Sequence, residues 1–224
     1  MTNKTHKIIV VGLPKTGTST LTVMLRILGY HVTGPDVHYT YGDIDGLKKQ
    51  FESYNGFQDY PWCFEWERFI NDERVLFIEL TRDKEAWWQS FYESYGGKGT
   101  SYLSYPYFGL QKQLDQKSHF INYFEGYYSN FRAFKTLYPD RVLSRHVKDL
   151  DWKDLCGFLN EPLPRTFFNT LVKKPHVNKH HSKQRTSFKY KTLNYIRAVL
   201  LPVLGPVLWL KITVYLRKQG FIKR

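Results

Sequence analysis

The stretch from residue 8 to residue 20 constrains the fold of this chain more than any other part of its sequence. It reads Ile-Ile-Val-Val-Gly-Leu-Pro-Lys-Thr-Gly-Thr-Ser-Thr. The run of β-branched residues at its start predicts a buried strand, and the glycine and proline after it predict a turn. A helix is then predicted to begin at Thr18 or Ser19. Its apolar face consists of Leu21, Leu25 and Leu28.

A strand, a tight turn and a helix N-terminus together form an anion-binding site. Backbone N–H groups and the positive end of the helix dipole face a single point in such an arrangement. The side chains add further donors, namely the ammonium group of Lys15 and the hydroxyl groups of Thr16, Thr18, Ser19 and Thr20. The sequence therefore predicts a cradle for a phosphate or sulfate group.

The position of the lysine argues against a nucleotide kinase. The P-loop pattern G-x-x-x-x-G-K-[ST] requires a lysine directly after its second glycine, where it reaches the β- and γ-phosphates. Here Thr18 follows Gly17, and the lysine precedes that glycine as Lys15. A lysine in this position approaches a bound group from a different side.

The run Pro-Lys-Thr-Gly-Thr-Ser at residues 14–19 resembles the phosphosulfate loop of sulfotransferases. These enzymes use 3′-phosphoadenosine 5′-phosphosulfate (PAPS) as donor and release adenosine 3′,5′-bisphosphate (PAP). The resemblance implies that Lys15 contacts the oxygen between the phosphate and the sulfuryl group. It also implies that the loop binds the 5′-phosphate through Pro14, Lys15, Thr16, Gly17, Thr18, Ser19 and Thr20.

A second predicted strand, Val75–Thr81, ends at Arg82, and Ser90 follows eight residues later on a predicted helix. Sulfotransferases hold the 3′-phosphate of the donor with an arginine and a serine at this spacing. An arginine offers a bidentate fork to a phosphate group, and a serine two helical turns on lies on roughly the same side. The alternative is an Arg82–carboxylate ion pair and a solvated Ser90.

The tripeptide Asp59-Tyr60-Pro61 resembles the Asp-x-Pro of one sulfotransferase branch, where other members carry a His-x-Pro with a catalytic histidine. The motif W-x-x-L-C-x-F-L at residues 152–159, two prolines at 162 and 164, and His-Val-Asn at 176–178 fit the same branch. The chain is thus identified as a member of the PAPS-dependent sulfotransferase superfamily, with the resemblance running from Ile8 to about Asn178.

The resemblance implies in-line transfer of a sulfuryl group to a hydroxyl or amine acceptor, without a metal ion. Lys15 would stabilise the charge on the leaving phosphate, and Asp59 would accept the proton of the acceptor. A helix N-cap before Pro61 is the alternative role of Asp59. Glu65 and His38 are further candidates for the base. Thr20 stands where many relatives carry an adenine-stacking tryptophan, so the mode of adenine binding stays open.

The alternation of strands and helices predicts an α/β fold of the P-loop NTPase-like, three-layer type, with a parallel central sheet flanked by helices. Strands are predicted near residues 7–11, 75–81 and 141–145. Helices are predicted near residues 18–28, 64–71, 84–95, 120–137 and 149–159, with a loop over residues 95–108. The sulfotransferase domain is predicted to span residues 1–178. Cys63 and Cys156 are expected to be buried free thiols.

Residues 179–224 are predicted to form a separate basic and apolar segment. Residues 1–172 contain 20 Lys or Arg and 20 Asp or Glu, whereas residues 173–224 contain 13 basic residues and no acidic residue. The run Ala198–Leu210 is apolar but is interrupted by two prolines and a glycine. Attachment to an anionic membrane surface accounts for both features. A helix packed on the domain and a transmembrane anchor are the alternatives, whereas nucleic-acid binding does not account for the apolar run.

The chain opens with a polar stretch rather than a signal peptide, which predicts a cytoplasmic protein, peripheral on the cytoplasmic face of a membrane where the tail binds. The expected partner is a small-molecule or lipid-like acceptor. Two other functions remain open: a catalytically degenerate, membrane-peripheral nucleotide-binding or scaffold protein, and a P-loop small-molecule kinase. The sequence does not predict an oligomeric state.

Overall fold

The computed structural model of the protein describes residues 4–36, 39, 41–95, 107–108 and 117–175, together with the single residues 200, 204, 208, 212 and 215. The strands are β1 (Lys7–Val11), β2 (Val32–Thr33), β3 (Gly56–Phe57), β4 (Val75–Thr81) and β5 (Val142–His146). The helices are α1 (Thr18–Ile27), α2 (Ile44–Ser53), α3 (Lys84–Tyr95), α4 (Lys117–Leu137) and α5 (Trp152–Leu159). Two short 3₁₀ helices span Trp66–Phe69 and Pro139–Arg141.

The chain divides into two compact units. The first comprises Met1–Asp36, Lys48–Asp83 and Tyr128–Lys179, and the second comprises Val37–Leu47, Lys84–Tyr127 and His180–Arg224. All five described strands belong to the first unit, which therefore contains the sheet.

The five strands pair in parallel, in the order β2-β3-β1-β4-β5. This arrangement confirms the predicted α/β fold with its parallel sheet. β1 is buried along its whole length, as expected of a strand covered on both faces. The carboxyl ends of β3, β1 and β4 are neighbours at one edge of the sheet, which is called the carboxyl edge below.

Helices α1 and α5 cover one face of the sheet in the first unit. Their buried side chains form one core with residues of β1, β2, β4, β5 and the connecting segments. This core comprises Ile8, Val10, Leu21, Met24, Leu25, Tyr30, Val32, Ile78, Leu80, Leu143, Leu150, Trp152, Leu155, Cys156 and Leu159. The predicted apolar face of α1 is confirmed, since Leu21 and Leu25 belong to this core and Leu28 packs against it.

Aromatic side chains cover the opposite face of the sheet. Phe77 of β4 lies with its ring centroid 4.9 Å from that of Phe134 and 6.1 Å from that of Trp66. Phe134 lies in the C-terminal part of α4, and Trp66 begins the first 3₁₀ helix. Residues that are distant in sequence thus complete a three-layer arrangement within the first unit.

The second unit has aromatic packing of its own, between α3 and the N-terminal part of α4. The Trp87 ring lies 4.8 Å from that of Phe124 and 5.1 Å from that of Phe91. Phe91 in turn packs against Phe120 at 5.3 Å and against Phe108 at 5.4 Å. Ion pairs join Lys84 to Glu125 and Lys117 to Glu85 on the exposed side of the same two helices.

The predicted element boundaries hold best where apolar runs are long. β1, β4 and α3 have the predicted bounds, and both cysteines are buried free thiols. The predicted helix over residues 64–71 is wrong, because only the four residues of a 3₁₀ helix form there. Helix α5 begins later than predicted, since the Asp151 side chain accepts a hydrogen bond from the Asp154 N–H at 2.9 Å and caps the helix. Strands β2 and β3 and helix α2 were not predicted.

Most of the predicted loop over residues 95–108 and most of the basic C-terminal segment lie outside the described residues. The five described residues of that segment are each helical: Leu200, Leu204, Leu208, Ile212 and Tyr215. Among the residues that the structure describes, no helix combines the length and the apolar character that crossing a bilayer requires.

Candidate active site

The loop between β1 and α1 adopts a conformation that its sequence makes possible. Lys15 has a φ of 81° and Gly17 a φ of 102°, so two of its residues lie in the left-handed region. A Cβ atom at Gly17 would lie 2.0 Å from Cγ2 of Val147, which follows β5. Glycine at position 17 is therefore required twice, by its backbone angle and by its contact with Val147.

The start of the loop packs closely against the end of β4. A Cβ atom at Gly12 would lie 2.7 Å from Oγ1 of Thr16 and 3.2 Å from Cβ of Leu80. Thr16 is fully buried, and its hydroxyl group donates to the Leu13 carbonyl at 2.8 Å. The buried Thr16 side chain thus stabilises the turn through this hydrogen bond.

Arg82 is the first residue after β4, and its guanidinium group reaches the loop. Nη1 of Arg82 donates to the Lys15 carbonyl oxygen at 2.7 Å. The structure therefore brings together two of the sequence-predicted site elements, the loop and the strand-end arginine. A left-handed residue such as Lys15 is costly in backbone energy, and this hydrogen bond helps to hold it.

Tyr128 of α4 also supports the loop, although it is not one of the sequence-predicted site residues. It is buried, and its hydroxyl group donates to the Leu80 carbonyl at 2.7 Å. Burial raises the pKa of the Tyr128 phenol well above its usual range, while hydrogen bonds with the Leu13 backbone and the Thr16 side chain act in the opposite direction. The phenol therefore stays protonated near neutral pH and links β4 to the loop.

A signal for Tyr128 does exist in the sequence. Aromatic residues recur along α4 at positions 120, 124, 128, 131 and 134, which is the spacing of one buried helix face. A tyrosine on such a face needs a partner for its hydroxyl group, because an unpaired buried hydroxyl is costly. What the pattern cannot supply is the identity of that partner.

Asp59 lies just after β3, at the same carboxyl edge of the sheet. It is partly buried with a φ of 60°, and its Oδ1 accepts a hydrogen bond from the Tyr60 N–H at 2.8 Å. The Asp59 carbonyl accepts from the Cys63 N–H at 2.9 Å. Burial raises the pKa of the Cys63 thiol, and the charge of the Asp59 carboxylate raises it further. Asp59 thus opens a tight turn and places its carboxylate close to a buried sulfur atom.

The strand order explains why these groups meet at one edge. β3, β1 and β4 are adjacent and parallel, and they are followed by Asp59, the Lys15 loop and Arg82 respectively. In open parallel sheets, ligands bind beyond the carboxyl ends of the strands. This edge therefore combines a helix N-terminus and two cationic side chains, which suit an anion, with a carboxylate that can accept a proton.

The remaining sequence-predicted site residues differ in burial and in location. Pro14 and Thr18 are buried, whereas Ser19 and Thr20 are partly buried in the first turn of α1. Ser90 lies in α3 of the second unit, and its pairing with Arg82 stays a prediction.

Glu65 and His38 are the two further candidates for the base. Glu65 is buried and forms an ion pair with Arg68. His38 lies outside the described residues. Within residues 4–36, 39, 41–95, 107–108 and 117–175, no cluster of three or more His, Cys, Asp or Glu residues is arranged to hold a metal ion.

Comparison with known protein families identifies the class of this fold and site. A sequence model of the sulfotransferase domain matches residues 7–134 and, in an overlapping segment, residues 100–182. The chain belongs to the sulfotransferase domain family. A search of curated proteins gives no match.

The match gives the loop and the strand-end arginine a family context. Both lie within the first matched segment, as does Asp59, whereas the motif at residues 152–159 lies within the second. Membership of a sulfotransferase family indicates a transferase that moves a sulfuryl group. The predicted family and fold class are thereby confirmed.

Proposed function

We propose that this sulfotransferase uses PAPS as its donor and transfers the sulfuryl group to a hydroxyl or amine acceptor, releasing PAP. The observation that carries this proposal is the hydrogen bond from Arg82 Nη1 to the Lys15 carbonyl, 2.7 Å long, between the anion-binding loop and a second cation at the end of the next strand. A donor with phosphate groups at both its 5′ and 3′ positions needs two such sites, and a simple phosphate ester needs only one.

The loop residues fit the 5′-phosphate part of the donor. Gly12 and Gly17 keep the backbone free of side chains where a Cβ atom would collide with neighbouring residues, and Gly17 leads directly into the N-terminus of α1. The N-terminus of α1 carries the positive end of the helix dipole, which favours an anion there. We assign Pro14, Lys15, Thr16, Gly17, Thr18, Ser19 and Thr20 to this subsite.

The proposed chemistry assigns one task to each charged group. The donor, when bound, supplies a sulfuryl group on an anhydride oxygen. Lys15 stabilises the negative charge that develops on that oxygen, and Arg82 with Ser90 holds the 3′-phosphate. Asp59 accepts the proton from the acceptor hydroxyl or amine. Because sulfuryl transfer resembles phosphoryl transfer, positioning and charge stabilisation supply most of the catalysis.

Binding calorimetry tests the donor directly. We expect adenosine 3′,5′-bisphosphate to bind wild-type protein without added metal, and the Arg82→Ala variant to bind it roughly 10- to 100-fold more weakly, since hydrogen bonds to charged groups contribute about 1.5–3 kcal/mol each. Arg74→Ala is the matched control. Arg74 precedes β4, whereas Arg82 follows it, and Arg74 pairs at the surface with Asp72 and Glu52.

The same titrations separate the alternatives. Preference for ATP with magnesium over the bisphosphate would overturn the proposal in favour of a P-loop kinase. Binding of neither ligand would favour a catalytically degenerate scaffold protein. Binding of the bisphosphate that is equally strong in the Arg82→Ala variant would keep the donor but remove the assigned role of Arg82.

The acceptor that we propose is a small or lipid-like molecule. Its support is the basic and apolar composition of residues 179–224, which also underlies the proposed attachment to an anionic membrane surface on the cytoplasmic side. Screening soluble alcohols and amines against lipid alcohols in vesicles, with release of the bisphosphate as readout, distinguishes the two acceptor types.

A further inference from the structure

A short hairpin in the first unit projects two aromatic side chains into solvent. Residues 165–171 fold back on themselves, with an antiparallel bridge between Arg165 and Leu171. The Thr166 N–H donates to the Thr170 carbonyl at 2.8 Å, and the Asn169 N–H donates to the Thr166 carbonyl at 2.9 Å. Asn169 has a φ of 58°, as a tight turn requires. These residues are called the Phe hairpin below.

The tip of the Phe hairpin exposes two large apolar side chains to solvent. Phe167 is 98% exposed and Phe168 is 84% exposed, and their rings contact each other edge to face at 5.5 Å. Leu171 at the base is 47% exposed. Burying one phenylalanine side chain stabilises a fold by about 1.5–3 kcal/mol. Phe167 and Phe168 do not contribute this stabilisation here, because both are exposed. An exposed apolar cluster of this kind marks an interaction site.

The base of the hairpin is fixed, so the tip is presented in a defined direction. The Val172 N–H donates to the Pro164 carbonyl at 3.0 Å. Leu163 and Val172 pack against the core formed by α1, α5 and the sheet. Further along, Nζ of Lys174 donates to the carbonyl groups of Val147 and Lys148 at 3.2 and 3.1 Å. The two phenylalanines therefore project from an anchored segment.

Basic residues predominate in the sequence within and after the hairpin. Glu161 is the last acidic residue of the chain, and 14 Lys or Arg residues follow it. Arg165 lies within the hairpin, with Nη1 donating to the Asn169 carbonyl at 2.8 Å, and Lys173 and Lys174 follow directly. Protein interfaces combine an apolar centre with a rim of mixed polarity. An apolar tip with cationic neighbours in sequence is complementary to anionic lipid headgroups over an acyl layer.

We infer that the Phe hairpin is a membrane-insertion element, which places Phe167 and Phe168 in the acyl region of an anionic bilayer while Arg165 and Lys173 contact the headgroups. The hairpin belongs to the described part of the first unit, and in sequence it is a different segment from the apolar run Ala198–Leu210. It would hold the sulfotransferase domain itself against a lipid surface.

A fluorescent label at the tip tests insertion in the full-length chain. Phe168→Cys is labelled with an environment-sensitive dye, since Cys63 and Cys156 are buried and burial raises the pKa of both thiols, which slows their labelling. Leu137→Cys is the control, because Leu137 is 73% exposed at the end of α4. Vesicles of phosphatidylcholine alone are compared with vesicles containing roughly 30% phosphatidylserine.

We expect the dye at position 168 to shift to the blue and to be quenched by brominated acyl chains in the anionic vesicles, and the dye at position 137 to do neither. In a sedimentation assay, a Phe167→Ser/Phe168→Ser double variant should have an affinity for anionic vesicles that is lower than that of wild type by a factor of about ten or more. Its thermal unfolding should be unchanged, because both side chains are exposed.

Four results would overturn the inference. Vesicle binding with an unchanged dye at position 168 would place the contact elsewhere in the chain. Equal signals from neutral and anionic vesicles would remove the role of the cations. A dye that is already shielded without vesicles would indicate that this chain covers its own hairpin. Absence of any vesicle binding would exclude a lipid surface and would favour a protein as the partner of the hairpin.

Discussion

Two loops at the carboxyl edge of the sheet each hold a candidate site residue in place, but different interactions fix them. The loop after β1 is held by backbone geometry, through left-handed residues at Lys15 and Gly17 and a glycine contact with Val147. In the turn after β3, Asp59 is also left-handed, but large side chains pack around the turn. Trp62 is fully buried, with its ring 4.5 Å from that of Phe57 and 5.9 Å from that of Phe69.

The difference separates what each loop is sensitive to. A loop fixed by backbone angles depends on a few residue types at fixed positions. A turn fixed by packing depends on side-chain volume and contributes to the core. Substitutions in the first loop should therefore change donor binding, and substitutions around the second should change stability.

Trp62→Ala should have the largest effect of the changes considered. Removing a fully buried indole costs about 3–5 kcal/mol in the free energy of unfolding, measured by urea denaturation. The affinity for adenosine 3′,5′-bisphosphate, measured under conditions where the variant is folded, should change little. Phe168→Ala is the control, since that aromatic ring is 84% exposed and its loss should change stability by less than about 0.5 kcal/mol. A large loss of donor affinity in Trp62→Ala would show that the two loops are structurally coupled and would contradict this separation.

Gly17→Ala tests the backbone-held loop. A side chain at a φ of 102° costs about 1–2 kcal/mol, and overpacking against Val147 adds about 1–3 kcal/mol. If the loop distorts to relieve this strain, calorimetry should detect the cost as weaker bisphosphate binding. Gly157→Ala is the control, because no atom lies within 4 Å of its Cβ position in helix α5. That change should stabilise the protein slightly. Unchanged binding and stability in Gly17→Ala would contradict the loop geometry.

Asp59→Asn separates the two roles of this residue. Asparagine accepts the Tyr60 N–H and tolerates a left-handed φ, so the free energy of unfolding should change by less than about 0.5 kcal/mol. Loss of a general base should lower the turnover number about 100-fold or more, with the donor affinity retained. Glu65→Gln is the companion variant, and it should keep most of its activity. The reverse pattern of activities would assign the base to Glu65.

Tyr128→Phe should have the smallest of these effects. It removes the hydroxyl that donates to the Leu80 carbonyl and touches the loop, and a buried hydrogen bond of this kind contributes about 1 kcal/mol. We expect bisphosphate affinity to fall about fivefold. Tyr138→Phe is the control, because Tyr138 is 46% exposed just after α4. An equal response in both variants would show that Tyr128 does not act through the loop.

The comparison of the two loops also explains how far the sequence could predict this molecule. β1 and β4 were predicted with the correct bounds because their apolar runs are continuous, and the loop was predicted from its glycine, proline and lysine. Strands β2 and β3 have two residues each, which is too short for any periodic pattern. A helix was predicted near residues 64–71, but only a 3₁₀ helix over Trp66–Phe69 forms there, with the Trp66 ring packed against Phe77 of β4.

The parts of the site that the sequence did not predict depend on contacts between distant residues. Tyr128 bonds a carbonyl 48 residues away, and Val147 meets Gly17 only because β5 lies two strands from β1. Neither contact leaves a local pattern. Arg82, by contrast, was predicted as a ligand contact, and its hydrogen bond to the Lys15 carbonyl is a relation that a motif does not contain.

That hydrogen bond has a consequence for the thermodynamics of donor recognition. If one guanidinium group both fixes the backbone of the 5′-phosphate loop and contacts the 3′-phosphate, the two ends of the donor do not bind independently. The free energies with which 5′-phosphate and 3′-phosphate fragments bind separately should then fail to account for the affinity of the intact nucleotide. Selectivity for a 3′-phosphorylated donor would in this case be a cooperative property of the carboxyl edge rather than of a separate pocket.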